Sequence, residues 1–296
     1  CRDMTLSTGV AAPAAICLDY SAQAVDVGSG NMFTMNHFSP RFYLENLLLC
    51  GIDCVSTGSP FGVSWQQGVD VIAAVGGVIN AVTYVGQAAS PWGAAAGTGF
   101  LLRGTNDGLN NGHPDQISLN DCTAHFAVNG IVARQCEGIF IRAANMVACT
   151  NGISITSTGS HPQANIRDSH VNCGAVGISI NGQRQASVAG CLIYCIQQPV
   201  ANFVGLYLIN CDTFQALGNS FASVNASGYG VNHLVAAGAS YGTIDNNTYL
   251  LSGNNPSAAI WLQSTAHHIK IGPSNIFDGA FPYPILNQGS NNTIIT

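Results

Sequence analysis

Three asparagines in the last third of the chain are separated by equal steps of 28 residues, and an aromatic residue follows two positions after each. The asparagines are Asn219, Asn247 and Asn275, and the aromatic residues are Phe221, Tyr249 and Phe277. A period that preserves both an amide and a ring indicates an internal repeat, which restricts the fold more than any other feature of a sequence. The chain is therefore expected to stack similar units along one axis.

Short runs of alternating apolar residues, most of them beginning with glycine, recur along the same part of the chain. They read "GFLL" from 99, "GIVA" from 130, "GISI" from 152 and 177, "GLYL" from 205, "GVNHL" from 230 and "AIWL" from 259. The apolar positions keep a step of 28 through Ile178, Leu206, Leu234 and Leu262. A second alternating run lies between them, as in "GIFIRA" from 138 and "GTIDNN" from 242. Alternation over four or five residues predicts short strands.

Two or three short strands in each period of about 22 to 31 residues are typical of a β-solenoid. A propeller blade would need four strands and a longer repeat, and the leucine-rich repeat signature is missing. In a solenoid each turn, here called a rung, pairs with the next at about 4.8 Å, so equivalent residues stack. The three asparagines should therefore form an amide ladder, and the three rings a stack beside it, as architectural features.

The "GISI" units, the asparagine ladder and "HIKIGPSNIFDG" from 268 resemble the right-handed parallel β-helix of pectin-lyase-like proteins, most of all the β-helix domains of phage tailspikes and tail fibres. The resemblance implies an all-β fold, a single-stranded parallel solenoid that is regular over residues 98–296. Residues 1–97 are expected to hold N-terminal rungs, with "RFYLENLLLCG" from 41 in one of them. The Gly-, Ala- and Val-rich segment at about 55–97 is expected to be an irregular insertion.

Charged residues make up only 7% of the chain, against about 25% in an ordinary globular domain. A net charge of −6 with eight Lys plus Arg argues against a nucleic-acid-binding surface. Uncharged polar residues suit a neutral partner such as a polysaccharide, or subunits that pack side by side in an extracellular particle. The apolar segment 71–85 has 15 residues and two adjacent glycines, so we predict a buried element there and no membrane span.

The eleven cysteines are irregularly spaced and lack the CxxC form that zinc and redox sites usually show. We therefore predict no metal site and no cofactor, and interpret the cysteines as small buried apolar residues. Because secreted proteins tend to pair their cysteines, assembly in a reducing cytoplasm is favoured.

Ten of the 22 charged residues fall within residues 103–184, so one belt of rungs carries most of the titratable groups. Aligned on their inward residues, successive rungs place Asp121 and Asp168 two rungs apart on one face, at about 9.6 Å, with Arg142 between them. Carboxylates at about 6.5–9.5 Å suit an inverting glycosidase. Arg142 could hold an acidic sugar or lower the pKa of one carboxylate. The same pattern also fits a surface ion-pair ladder, and both interpretations stay open.

Substrate-binding residues are predicted around two loops that leave the coil, at 103–116 and 156–163, because loops on rigid scaffolds often carry binding sites. Trp261 lies between two apolar residues in "AIWL" and should point outward, where an exposed ring invites a partner. The predicted binding residues are Asp107, His113, Asp115, Arg167, His170 and Trp261.

The resemblance and the composition together favour a virion-associated spike or fibre that binds bacterial surface polysaccharide, with or without cleaving it. Such a protein would be a homotrimer, would contact other virion proteins, and would act on the virion or outside the cell. One alternative is a secreted polysaccharide lyase or glycoside hydrolase. A second is a purely structural virion or surface protein.

Overall fold

The chain winds into a solenoid with three parallel sheets in a computed structural model. The structure describes residues 2–10, 12–20, 24–26, 32–34, 41–60, 62–90, 93–104, 114–195, 202–224, 230–252 and 256–295. Each complete rung contributes a strand to sheet B, then to sheet C, then to sheet A. Several strands run through the corners, so that β5 (Phe42–Gly51) and β7 (Val75–Val85) each serve sheets B and C, while β15 (Asn145–Arg167) and β16 (His170–Ala189) pass through all three sheets.

The other strands of sheet A are β2 (Ala12–Asp19), β6 (Trp65–Ile72), β10 (Thr98–Arg103), β13 (Asn129–Arg134), β18 (Phe203–Ile209), β21 (Val231–Ala237), β24 (Pro256–Leu262) and β27 (Tyr283–Asn287). Those of sheet B are β11 (Asp115–Asn120), β14 (Glu137–Arg142), β19 (Thr213–Leu217), β22 (Gly242–Asp245), β25 (Lys270–Ile271) and β28 (Thr293–Ile294). Those of sheet C are β1 (Arg2–Thr8), β12 (Thr123–His125), β17 (Leu192–Cys195), β20 (Ser220–Val224), β23 (Thr248–Ser252) and β26 (Ile276–Asp278).

The all-β parallel solenoid expected from the sequence is thus confirmed, and its handedness stays a prediction. Two antiparallel pairs lie outside the sheets: β3 (Ala24–Asp26) with β4 (Met32–Thr34), and β8 (Gln87–Ser90) with β9 (Gly93–Ala96). Among the described residues the one helix is α1 (Ile52–Thr57), which ends at Gly58 in the left-handed conformation, φ 72°. No described helix has the length and apolar character needed to cross a membrane.

The core is built from columns of like residues. Ile153 pairs with Ile178 and Ile178 with Leu206, and each is at most 1% exposed. Burying one such side chain contributes about 1.5–3 kcal/mol, and the column repeats that contribution at every rung. The register differs from the sequence prediction at one step, because Leu234 pairs with Ile260 and not with Leu262. The step from β21 to β24 is 26 residues at Leu234, and it changes from 25 to 26 at an irregularity between Val231 and Asn232.

Most of the apolar runs in sheet A begin with a glycine. The missing side chain of this glycine leaves room for side chains that project inward from sheet C. A methyl group on Gly177 would lie 2.5 Å from the Gly205 carbonyl oxygen and 2.6 Å from Cγ2 of Ile193. Gly152 is in the same position one rung earlier, where Val171 and Cys173 fill the space. Glycine is therefore required at this column by close approach, which explains why "GISI" recurs.

Residues 65–85 differ from the expectation of an irregular insertion over about 55–97. They form β6 and β7, which pair in parallel with the rungs before and after them. The small residues of this segment hide the alternation of apolar side chains, because side chains of the preceding rung fill the core beside them. A methyl group on Gly77, for example, would overlap the ring of Phe42. Among the described residues of 55–97, the departures from the rung pattern include the end of α1, the connection to β6 and the antiparallel β8–β9 pair.

The asparagine ladder and the ring stack lie inside the solenoid, at the corner where sheet B turns into sheet C. Nδ2 of Asn219 donates to Oδ1 of Asn247 at 3.0 Å, and Nδ2 of Asn247 donates to Oδ1 of Asn275 at 3.1 Å. The ring of Tyr249 lies 5.1 Å from that of Phe221 and 5.2 Å from that of Phe277, at interplanar angles of 2° and 10°. The predicted stacking of these six side chains is therefore present.

The ten described cysteines are free thiols, and eight of them are buried, as their interpretation as small apolar residues predicted. Cys149, Cys173 and Cys195 pair in sequence along sheet C and form one column of sulfur atoms. Burial raises the pKa of the Cys173 thiol well above its ordinary value. Cys17 is exposed and Cys54 is half-buried.

Candidate functional site

The outer face of sheet B carries a polar groove that crosses successive rungs. One part, of about 510 Å³, is lined by Asp115, Glu137 and Phe140 and reaches Gln163. The other part, of about 360 Å³, begins at the same Gln163 and extends to Gln215. The two parts are adjacent and share Gln163 in their lining, and together they are here called the sheet B groove.

The floor of the second part is a column of uncharged polar side chains on neighbouring strands. Asn165 pairs with Ser187, and Ser187 pairs with Gln215, one residue from each of three successive rungs. Their inward neighbours, including Ala164 and Val188, are buried, so strand alternation directs these polar side chains outward. Nε of Arg167 donates to Oδ1 of Asn165 at 3.0 Å and places one guanidinium at the edge of the groove.

Amide and hydroxyl groups at this spacing can donate to and accept from the hydroxyl groups of a sugar chain lying across the rungs. The sequence prediction of binding residues does not include Asn165, Ser187 or Gln215 of this column. Their signal is present in the second alternating run, where each outward residue falls between two small or apolar inward residues.

Two carboxylates meet at the other end of the groove. Asp115 and Glu137 are paired in the register of β11 and β14, so their backbones are separated by about 4.8 Å. Burial, and after it the neighbouring Glu137 carboxylate, together raise the pKa of Asp115 to about 6. Asp115 was predicted as a substrate-binding residue, whereas the importance of Glu137 was not recognised.

Glycine and an aromatic ring shape the space around this pair. A methyl group on Gly138, whose φ is 75°, would lie 3.1 Å from Oδ1 of Asp115. Phe140 lies outward on the same strand with 36% of its surface exposed, next to the carboxylates in the lining of the groove. An exposed ring beside two carboxylates is an arrangement that suits a sugar ring above the acid pair.

Asp121 and Asp168, the predicted catalytic pair, lie at the corner between sheets B and C. Their φ angles are 51° and 52°, and Ala143 holds the same position on the rung between them, φ 52°. Asn, Asp and Gly are favoured in the left-handed conformation, and Gly190 and Gly218 hold this position on the following rungs. The two-rung separation of the aspartates is as predicted. The left-handed backbone at this corner also explains why aspartate occurs there without any catalytic role.

Arg142 lies on the rung between the two aspartates, as predicted, and pairs with Asn120 on one side and Arg167 on the other. Its Nε atom is 3.6 Å from Oδ2 of Asp168, and the two side chains are 73% and 58% exposed. An ion pair this exposed adds little to stability. The catalytic roles of Asp121, Asp168 and Arg142 stay predictions.

Two other predicted binding residues, His170 and Trp261, lie on different sheets. His170 lies on sheet C, where its Nδ1 is 2.7 Å from Oδ1 of Asn145 and its Nε2 is 3.0 Å from the Tyr194 hydroxyl. Burial lowers the pKa of His170. Trp261 points outward from sheet A as predicted, but it is half-buried, and its Nε1 donates to Oε1 of Gln288 at 3.1 Å. Asp107 and His113 lie outside the described residues.

Within the described ranges, no group of three or more His, Cys, Asp or Glu side chains is placed to hold a metal ion. The groups that the sheet B groove presents to a ligand are uncharged amides and hydroxyls, the Arg167 guanidinium, and the carboxyl groups of Asp115 and Glu137.

No protein-family model matches the chain, and no curated protein matches it in sequence. Among solved structures, the A-module of the mannuronan C-5 epimerase AlgE6 from Azotobacter vinelandii is 11% identical, with a TM-score of 0.22, covering 88% of this chain and 90% of that chain. A likeness at this level carries no conclusion about function, which has to rest on the chemistry of the site.

Proposed function

We propose that this solenoid is part of a virion-associated spike or fibre that binds bacterial surface polysaccharide along the sheet B groove. The observation that carries the proposal is the continuous row of amide and hydroxyl side chains from Gln163 to Gln215 on the outside of a rigid sheet. A binding surface with few charges matches a largely neutral sugar chain, in agreement with the 7% of charged residues in the whole chain. The proposed assembly is a homotrimer that also contacts other virion proteins, on the virion or outside the cell.

The binding test uses surface polysaccharides purified from a panel of bacteria and immobilised for binding measurements. The double variant Asn165→Ala and Gln185→Ala removes hydrogen-bonding groups from the groove without touching the core. Two lost hydrogen bonds at about 0.5–1.5 kcal/mol each predict binding about tenfold weaker, or more. The matched control is Asn129→Ala with Asn151→Ala, which removes two outward amides from sheet A.

Equal loss of binding in both double variants would place the sugar elsewhere and contradict the groove assignment. If the unaltered protein binds no polysaccharide from the panel, the purely structural role is favoured.

A polysaccharide-cleaving activity is the second candidate function, and the pairing of Asp115 with Glu137 favours it. The register places the backbones of the two residues about 4.8 Å apart. Carboxyl groups on neighbouring strands can therefore reach the separation of about 5–5.5 Å that is typical of retaining glycosidases, in which one is the acid and the other the nucleophile. Asp115 suits the acid, because its pKa of about 6 keeps part of it protonated near neutral pH. Glu137 would then attack the anomeric carbon, and water would release the sugar from the ester intermediate in a second step.

We expect new reducing ends to appear when the protein is incubated with a bound polysaccharide, with the rate falling as the pH rises above about 6 and Asp115 ionises. Asp115→Asn and Glu137→Gln should each slow the release of reducing ends by about 10²–10⁴-fold. Asp121→Asn and Asp168→Asn provide the comparison, since they test the pair predicted from the sequence. If only Asp121→Asn and Asp168→Asn abolished cleavage, the catalytic residues would be those at the corner between sheets B and C, and the assignment to Asp115 and Glu137 would be wrong. Unsaturated uronate among the products would indicate a lyase.

A further inference from the structure

Two adjacent histidines meet at the corner between sheets A and B, away from the sheet B groove. The Nδ1 atoms of His267 and His268 are 2.9 Å apart. Successive side chains of an extended strand point to opposite faces, so neighbours in sequence do not normally meet in this way. Here His268 has a φ of 55°, and this left-handed residue brings its imidazole to the same side as that of His267.

The backbone and a third ring hold the two imidazoles in place. His267 forms parallel bridges with Ser240 on one side and Ser290 on the other, and the His268 N–H donates to the Ser290 carbonyl oxygen at 3.3 Å. The ring of Tyr241 stacks on that of His268 at 5.1 Å and 15°, and it meets the ring of His267 edge-on at 6.0 Å and 90°. His268 is exposed and His267 is half-buried, so an ion in solution can reach both.

The distance between the two nitrogens matches that between two cis ligands of one metal ion. Bonds of about 2.0–2.1 Å that meet at a right angle place the two nitrogens about 2.9 Å apart, whereas a tetrahedral angle places them at about 3.3 Å. We propose that His267 and His268 chelate a divalent transition metal with square-planar preference, of the Cu²⁺ class, through their Nδ1 atoms. Without the metal, the same distance is that of a hydrogen bond in which one Nδ1–H donates to the other Nδ1. The metal replaces this bond, each imidazole then carries its proton on Nε2, and water completes the coordination.

The proposed site differs from the sequence prediction of no metal. It needs two protein ligands, so it is compatible with the finding that no group of three or more potential metal ligands occurs among the described residues. It is independent of polysaccharide binding. Its loss would leave the sheet B groove unchanged, so the two proposals can fail separately.

The repeat supplies the matched substitutions for a test. His267→Ser introduces the residue that both neighbouring rungs already carry, at Ser240 and Ser290. His268→Asn introduces a residue favoured in the left-handed conformation, as at Asn291, whose φ is 56°. Both variants should therefore keep the fold, which circular dichroism and the thermal midpoint of unfolding would verify.

The experiment titrates Cu²⁺ into the protein without a histidine tag and follows calorimetry and electron paramagnetic resonance. We expect one copper ion with two imidazole nitrogens in its hyperfine pattern, and an affinity at least about tenfold lower in either variant, since each loses the chelate. The control His170→Asn removes a histidine whose ring nitrogens already contact Asn145 and Tyr194, and it should bind copper like the unaltered protein. Copper binding that is unchanged in both His267→Ser and His268→Asn, or that is absent from the unaltered protein, would overturn the proposal.

Discussion

Replacing Asn247 with alanine is expected to lower the free energy of unfolding by about 2–6 kcal/mol, because it leaves buried polar groups without partners. Oδ1 of Asn247 accepts the backbone N–H of Asn219 at 2.9 Å and also its Nδ2 at 3.0 Å. Nδ2 of Asn247 donates to the Ala216 carbonyl oxygen at 2.9 Å. Asn219 and Asn247 are 1% and 0% exposed, so water cannot replace these bonds. Urea unfolding followed by circular dichroism measures the change.

Asn275→Ala is the matched control for this ladder. Asn275 makes the same kinds of bonds, accepting from the N–H and Nδ2 of Asn247 and donating to the Ile244 carbonyl oxygen, but it is only half-buried. Water can therefore take over part of its bonding, and we expect less than half of the loss caused by Asn247→Ala. Equal losses in the two variants, or a loss below about 1 kcal/mol for Asn247→Ala, would show that the buried amide column is not a main source of stability.

The core of this fold could be predicted from the sequence because inward positions must resemble the residues stacked on them. The Asn219 amide donates to the amide oxygen of Asn247 on the next rung, and the ring of Phe221 packs on that of Tyr249, so the period survives in the sequence. Where the stacked partners differ in size the prediction failed. Gly77 and Phe42 share one space, and neither residue alone indicates that β7 belongs to a rung.

The sheet B groove could not be located from the sequence for the opposite reason. Asn165, Ser187 and Gln215 stack in one outward column, but no packing rule requires outward neighbours to be alike. The sequence instead drew attention to charged residues, and two of these, Asp121 and Asp168, lie at a corner whose left-handed backbone favours aspartate. The pairing of Asp115 with Glu137 depended on the length of the connection between β11 and β14, which only the register of the strands reveals.

His233 gives the second large expected effect, a loss of stability in acid. It lies opposite Gly205 in the glycine column of sheet A and is 0% exposed. Its ring stacks on Phe221 and Tyr249, each at 6.1 Å, and both ring nitrogens are buried without a hydrogen-bond partner. Burial lowers the pKa of His233 to about 3, because a charged imidazole would have no water or acceptor around it.

The unfolded chain binds a proton at this histidine below a pKa of about 6.5, and the folded chain does not until about pH 3. The stability that the neutral ring permits is therefore complete above pH 6.5 and is lost as the pH falls toward 3, by up to about 1.4 kcal/mol per pH unit and roughly 5 kcal/mol in all.

His233→Leu keeps an apolar side chain of similar size and removes the titration. Unfolding free energies of both proteins from pH 7.5 to pH 4 give a difference curve in which the other titrating groups cancel. We expect the difference in unfolding free energy to be constant above pH 6.5, where only packing distinguishes the two proteins, and to change in favour of His233→Leu below pH 6.5. A difference that stayed constant over the whole range would mean that the folded protein accommodates the charged ring.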